Sequence, residues 1–206
     1  MSRKNKFYSL VICITLLFTA CGGNKKGSSG SSDDLNTIKI DFAKVAFPMP
    51  GNYKQYQPNE ILEKLAKEGE EGDKDFIVNG IRSLADNSRD FILLHDENEP
   101  TTYIHIEPKE YMELSKTSSE MILAIMKSNI KNAFENTGVA YSFLDQKYIG
   151  GKTAQIMKAK FELSLGPIKM WITEYVVSAR DKTMHITHHT MYPEDIEDNI
   201  KGMKLY

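Results

Sequence analysis

The sequence predicts an α+β fold, an antiparallel β-sheet meander with helices packed on its faces. Three observations carry that prediction. Four runs of about ten residues, each alternating apolar and polar, follow one another from Val139 to Tyr192. A long amphipathic segment over Ser118–Thr137 precedes them. Shorter strand-like and helix-like runs flank both, separated by Gly, Pro and acidic turn residues.

The elements follow in chain order. Thr37–Phe47 alternates, with Ile38, Ile40 and Phe42 on one face, and reads as a first strand with a break near Ala43; Pro48-Met49-Pro50-Gly51 ends it. Pro58–Glu68 carries Ile61, Leu62, Leu65 and Ala66 at helical spacing, with Pro58 in the first turn. Gly69–Gly72 is a charged loop, and Phe76–Ile81 is strand-like. Phe91–His95 and Thr102–Glu107 form a hairpin across the polar turn Asp96-Glu97-Asn98-Glu99-Pro100.

In the long helix, Thr117 is the expected N-cap, with Glu120 completing a capping box. Ile122, Met126, Ile130, Ala133 and Phe134 make an apolar stripe, extended by Met121 and Ile125. Gly138 is placed for a left-handed C-terminal cap. Such a stripe has to pack on something broad, and the sheet is the partner at hand. Its strands are Val139–Ile149, Thr153–Ser164, Ile168–Ser178 and Thr183–Tyr192, with turns at Gly150-Gly151, Gly166-Pro167 and Arg180-Asp181-Lys182. Met157, Ala159, Phe161 and Leu163 share one face; so do Ile168, Met170, Ile172 and Val176, while Trp171, Tyr175 and Val177 take the other. Apolar residues on both faces predict partial cover on each. Pro193–Lys201 is expected as a helix with Pro193 at its first position, Glu194 and Asp195 in the first turn and Gly202 beyond its end. Met203-Lys204-Leu205 adds a short final strand.

The first 36 residues have a different character. Arg3, Lys4 and Lys6 form a basic start, Phe7–Phe18 an apolar stretch, and Thr19 and Ala20 a small-residue site ahead of Cys21. The apolar stretch is shorter than the ~20 residues a bilayer requires. Phe18-Thr19-Ala20-Cys21 resembles the lipobox of bacterial lipoproteins, with Phe18 where Leu is usual. That resemblance implies cleavage of residues 1–20 as a signal peptide and acylation of Cys21 by diacylglycerol and a further chain such as palmitate. Several chains anchor strongly, since each buried CH₂ contributes about 0.8 kcal/mol. Residues 21–36 then hold the acylated Cys21 and a Gly/Ser-rich tether with a reach of about 20 Å. Residues 37–206 form the expected single α+β domain, a length suited to one core.

Composition narrows the function. Removing residues 1–20 takes away Arg3, Lys4 and Lys6 and no acid, so 26 basic residues become 23 against 28 acidic. No concentrated basic stripe accompanies that balance, which argues against a nucleic-acid partner. Of two cysteines, Cys13 leaves with the lead, so no internal disulfide or CxxC metal site is available to the mature chain.

The order of elements resembles the PsbP-like group, which includes DcrB-type bacterial lipoproteins. The residues that carry the likeness are Phe42-Ala43-Lys44-Val45-Ala46-Phe47-Pro48 at the opening strand, Gly150-Gly151-Lys152-Thr153-Ala154 at the start of the meander, and the closing helix and strand. The resemblance implies a sheet with helices on its faces and a binding or accessory role. It transfers no functional residue.

His185, His188 and His189 are the weak metal candidates. On one strand His185 and His189 share a face but stand ~13 Å apart, and His188 points away. A metal ion would need ligands from neighbouring strands, such as Glu174 or Glu162. His95 and His105 lie on the two hairpin arms near Asp96 and Glu107, with no marked nucleophile. Gly150-Gly151-Lys152 lacks phosphate-loop spacing, and Glu68–Asp75 lacks the EF-hand pattern. No cofactor is expected. The first reading is therefore a membrane-anchored, non-catalytic lipoprotein of the cell envelope, a binding or accessory module that binds a protein partner or stabilises an assembly. The alternatives are a carrier or sensor of a small apolar ligand between helix and sheet and, after it, a His-dependent metalloprotein or hydrolase.

Overall fold

The computed structural model describes residues 35–56, 60, 91–99, 102–135, 137–165 and 167–206. The lead segment with Cys21, the strand-like run Phe76–Ile81 and, apart from Glu60, the helix expected at Pro58–Glu68 lie outside these residues.

The first described element is a hairpin rather than one strand: β1 (Leu35–Ile40) pairs antiparallel with β2 (Val45–Pro50). The expected break near Ala43 is a full reversal. The Ala43 N–H donates to the Ile40 carbonyl at 3.2 Å, the Lys44 N–H donates to the Asp41 carbonyl at 3.3 Å, and Lys44 adopts a left-handed φ of 51°. Pro48 and Pro50 do not end the strand but belong to β2. They are tolerated because its second neighbour, β10 (Lys204–Leu205), pairs only with Val45 and Ala46.

The larger sheet has seven strands in the order β3-β4-β5-β9-β8-β7-β6. β3 spans Tyr53–Tyr56, β4 Ile92–Asp96 and β5 Tyr103–Lys109. The expected hairpin is β4–β5, closed by the Asn98 N–H on the Asp96 carboxylate at 2.8 Å and the Thr102 N–H on the Glu99 carbonyl at 2.8 Å. The expected meander is β6 (Ala140–Gly150), β7 (Gln155–Leu165), β8 (Ile168–Ala179) and β9 (Lys182–Thr190). All pairs are antiparallel. The last strand of the meander returns beside β5, so the chain between β5 and β6 crosses one face of the sheet.

That connection is α1 (Lys116–Phe134). Its N-cap is Ser115, not Thr117. The Ser118 N–H donates to the Ser115 hydroxyl at 3.1 Å and the Ser115 N–H to the Ser118 hydroxyl at 2.8 Å. The helix begins two residues early because Leu114, 3% exposed, is packed against Met157 and Val176 and the chain turns directly after it. It also ends earlier than Gly138. The Thr137 hydroxyl donates to the Phe134 carbonyl at 2.8 Å, and Gly138, at φ 77°, redirects the chain toward β6 instead of capping the helix. Ile130 and Phe134 are buried, and Ile122, Leu123 and Met126 pack on the sheet. Met121 and Ile125 do not extend this stripe: they are 64% and 59% exposed on the helix side turned from the sheet.

The opposite face of the sheet is covered by β1, β2, β10 and α2 (Glu197–Lys201). Phe47, Met49, Leu94, Ile104, Ile106 and Ile186 are completely buried there. Burial of one such side chain contributes about 1.5–3 kcal/mol. α2 starts four residues after the expected Pro193. The reason is Asp195, whose carboxylate accepts the Glu197 N–H at 3.0 Å and is held from the sheet by Lys158 and Lys160, which keeps residues 194–196 out of the helix. Gly202 follows at φ −71°, so it needs no left-handed turn. No helix among the described residues is long and apolar enough to cross a membrane.

Candidate functional site

Strand alternation and register decide which chemistry-bearing residues meet. On β9, His185, Thr187 and His189 point to the face that carries α1, and His188 points to the other. The register sets His185 opposite Glu107, Thr187 opposite His105 and His189 opposite Tyr103. Glu174, opposite Thr187 on β8, completes the group.

His185 therefore sits between two carboxylates. Its Nδ1 is 3.3 Å from Glu107 Oε1 and its Nε2 is 2.9 Å from Glu174 Oε2. Burial alone would disfavour the imidazolium, but the hydrogen bonds to Glu107 and Glu174 outweigh it and push the His185 pKa up to about 9. Glu107 is desolvated too; its bonds to His185 and Lys109 nonetheless hold it at about 2. With both ring nitrogens donating, His185 has no lone pair for a metal ion. Glu162 points to the other face and pairs with Lys169 at 2.9 Å.

The remaining histidines are arranged by their rings. His189 stacks on Tyr103 with centroids 4.4 Å apart, His105 meets the edge of Phe91 at 5.2 Å, and His95 meets Tyr56 at 6.0 Å. Burial drives His105 down to about 4 and His189 to about 3, so both are neutral. His105 Nε2 and His189 Nδ1 are buried without a hydrogen-bond partner. His188, on the inner face, lies 3.4 Å from the Tyr53 hydroxyl, and burial lowers it to about 4. Register thus brings His185, His189, His105, Glu107 and Glu174 onto one face and leaves His188 apart. No group of three or more His, Cys, Asp or Glu among the described residues is placed to hold a metal ion.

Sequence reasoning missed a second polar assembly, on the inner face. Lys158 and Lys160 share that face of β7 with Ile156. The Lys158 ammonium contacts Asp145 at 2.9 Å, Asp195 at 2.9 Å and Glu197 at 2.6 Å, and only 3% of its side chain is exposed. Lys160 reaches Asp195 at 3.3 Å and donates to the Pro193 carbonyl. A register shift between Phe143 and Asp145 makes this possible: it sets Asp145 opposite Lys160, with Leu144 as the extra residue. Burial works against Lys158, but the bonds to Glu197, Asp145 and Asp195 raise its pKa. The assembly ties α2 and β6 to the sheet centre. It left no sequence signal, because Lys158, Lys160, Glu162 and Ser164 read as the polar face of an alternating strand.

No family model and no curated protein sequence matches this chain. Solved structures do resemble it. The solution structure of cyanobacterial PsbP (CyanoP) from Synechocystis sp. PCC 6803 aligns over 90% of this chain and 100% of its own, with a TM-score of 0.50 and 12% identity. The apo immunity protein TplEi of the type VI secretion system of Pseudomonas aeruginosa aligns over 83% and 97%, with a TM-score of 0.51 and 8% identity. The same immunity protein complexed with "L" peptide aligns over 85% and 99%, with a TM-score of 0.50 and 8% identity.

Proposed function

We propose that this chain, which has a PsbP-like fold, is a non-catalytic binding module of the bacterial cell envelope, held to a membrane by acyl chains on Cys21. The basic, apolar and small-residue order ahead of Cys21 supports the anchor. The observation that carries the binding reading is the pair Met121 and Ile125. They stand one helical turn apart, 64% and 59% exposed, while the sheet-facing side of the same helix is packed. Two apolar side chains exposed side by side on one helix are the part of this surface best suited to an apolar contact. A fold of this kind is also recorded complexed with a peptide in TplEi, which is consistent with protein recognition.

Two other readings are weaker. A small apolar ligand between helix and sheet competes with Ile130, Phe134, Phe161, Leu163 and Ile172, which already fill that junction. A histidine-dependent reaction finds His185 with both nitrogens engaged by carboxylates, and His105, His188 and His189 buried at 8%, 2% and 4% exposure.

The test is photo-cross-linking of the full chain in its native membranes from positions 121 and 125, with position 198 on α2 as control. A discrete protein adduct from 121 and 125, absent from 198, is expected. No adduct, or the same adducts from all three positions, would contradict the binding reading.

A further inference from the structure

Beyond that reading, we propose that an open depression at the turn end of the large sheet is a binding site for a phosphate-class oxyanion. The depression measures about 640 Å³. Three cations from three segments line it: Lys116 at the start of α1, Lys152 in the β6–β7 turn and Arg180 in the β8–β9 turn. All three are exposed, and none forms an ion pair among the described residues. Other lysines divide: Lys54, Lys109, Lys147, Lys169 and Lys201 pair with carboxylates, while Lys39, Lys44 and Lys127 lie over aromatic rings, so what sets Lys116, Lys152 and Arg180 apart is that they line one concavity. Three unpaired cations around one concavity, with Glu113 the only carboxylate in its lining, leave a net positive field that an anion would neutralise.

The depression also places hydroxyls close to that charge, since Thr153 and Ser178 line it. Tyr148 and Gln155 brace its wall, with the Tyr148 hydroxyl donating to the Gln155 amide oxygen and the Gln155 amide to the Gly151 carbonyl at 2.9 Å. Its floor is rigid, since Leu114, Ala154 and Ser178 are 3%, 7% and 6% exposed. The turn bearing Lys152 is tight: a Cβ on Gly151 would stand 2.7 Å from the Ala154 carbonyl oxygen. Arg180 holds a left-handed φ of 55°, where glycine would be the relaxed choice. The α1 N-terminus is not the source of the field, because Ser115 and Ser118 cap it reciprocally. Tetrahedral oxyanions suit this set, since a guanidinium offers paired donors and ammonium groups add point charge.

The experiment titrates inorganic phosphate into the full chain, purified in detergent, and follows backbone amide shifts by NMR. A saturable shift at Lys116, Thr153 and Arg180 is expected. Lys152→Ala combined with Arg180→Gly should weaken it at least tenfold. Arg180→Gly alone should weaken it several-fold while the melting temperature stays equal or rises, because the strained turn is relaxed; a purely structural arginine would not separate the two readouts. A second arm uses the Cys21→Ser chain and vesicles of phosphatidylglycerol or phosphatidylcholine. Binding to the first alone, displaced by phosphate, assigns the site to a lipid headgroup. Binding of phosphate without vesicle association assigns it to a soluble phosphate ester. No saturable response to phosphate, or an equal response in the double variant, overturns the site whether or not Cys21 is acylated.

Discussion

His185 is the residue whose environment departs furthest from what its sequence position implies. It is a half-buried cation between two acids, and its ionisation sets a pH dependence of known sign. A folded-state pKa of about 9 against 6.5 means that its contribution is full below pH 6.5 and is lost as pH rises through 9. Glu107, at about 2 against 4.5, contributes above pH 4.5 and loses that as pH falls toward 2. Neutral, buried His105, His188 and His189, at about 4, 4 and 3, resist protons that the unfolded chain accepts below pH 6.5, so stability also falls on acidification. Urea denaturation should therefore show a maximum near pH 6.5 with limbs on both sides. His185→Gln should flatten the limb between 6.5 and 9, shrink the Glu107 part of the acid limb while leaving the part that comes from His105, His188 and His189, and cost about 2–3 kcal/mol at neutral pH by leaving Glu107 and Glu174 facing each other. Lys158 makes the same point on the other face. Lys158→Met removes the centre of three carboxylate contacts and should cost about 3 kcal/mol in the same assay, with α2 amides losing hydrogen-exchange protection first.

At the scale of elements, what the sequence shows well is periodicity, and what it shows poorly is where periodicity stops. Leu163, Phe161 and Met157 announced their face of β7 without ambiguity, because one side of that strand is purely apolar. The N-terminus of α1 was less legible. Ser115, Thr117 and Ser118 are all competent caps, and only the burial of Leu114 selects Ser115. Ser115→Ala should lower stability by about 1 kcal/mol, and Thr117→Ala should leave it within about 0.5 kcal/mol, as read by thermal denaturation. Met121 and Ile125 misled because hydrophobicity alone does not separate a residue that meets the sheet from one left exposed. The β1–β2 reversal was hidden for a different reason: Lys44, not glycine, takes the left-handed position, so no turn residue marked it. The extra residue in β6 left a faint trace, since Leu144 directly after Phe143 interrupts the alternation, but only the pairing of Asp145 with Lys160 identifies it as a bulge.

Over the whole molecule, antiparallel order followed from short turns, but the joining of β9 to β5 did not. That pairing depends on where α1 deposits the chain after β5, a long-range outcome with no local signature. It is also the pairing that assembles the histidine–carboxylate row, so the candidate site was legible as residue types and illegible as a constellation. His185 and Glu107 stand 78 positions apart. The same architecture separates two surfaces: the exposed side of α1 with Met121 and Ile125, and the basic depression at the sheet end.

The central claim is that a folded binding module is tied to a bilayer through one sulfur. Intact-mass analysis of the mature protein from its own cells tests it most directly. The account predicts a polypeptide beginning at Cys21 and heavier than its sequence by a diacylglycerol and one further acyl chain, with Cys21→Ser found in the soluble fraction and folded as the original. An unmodified Cys21, or a mature chain that begins elsewhere, would contradict it.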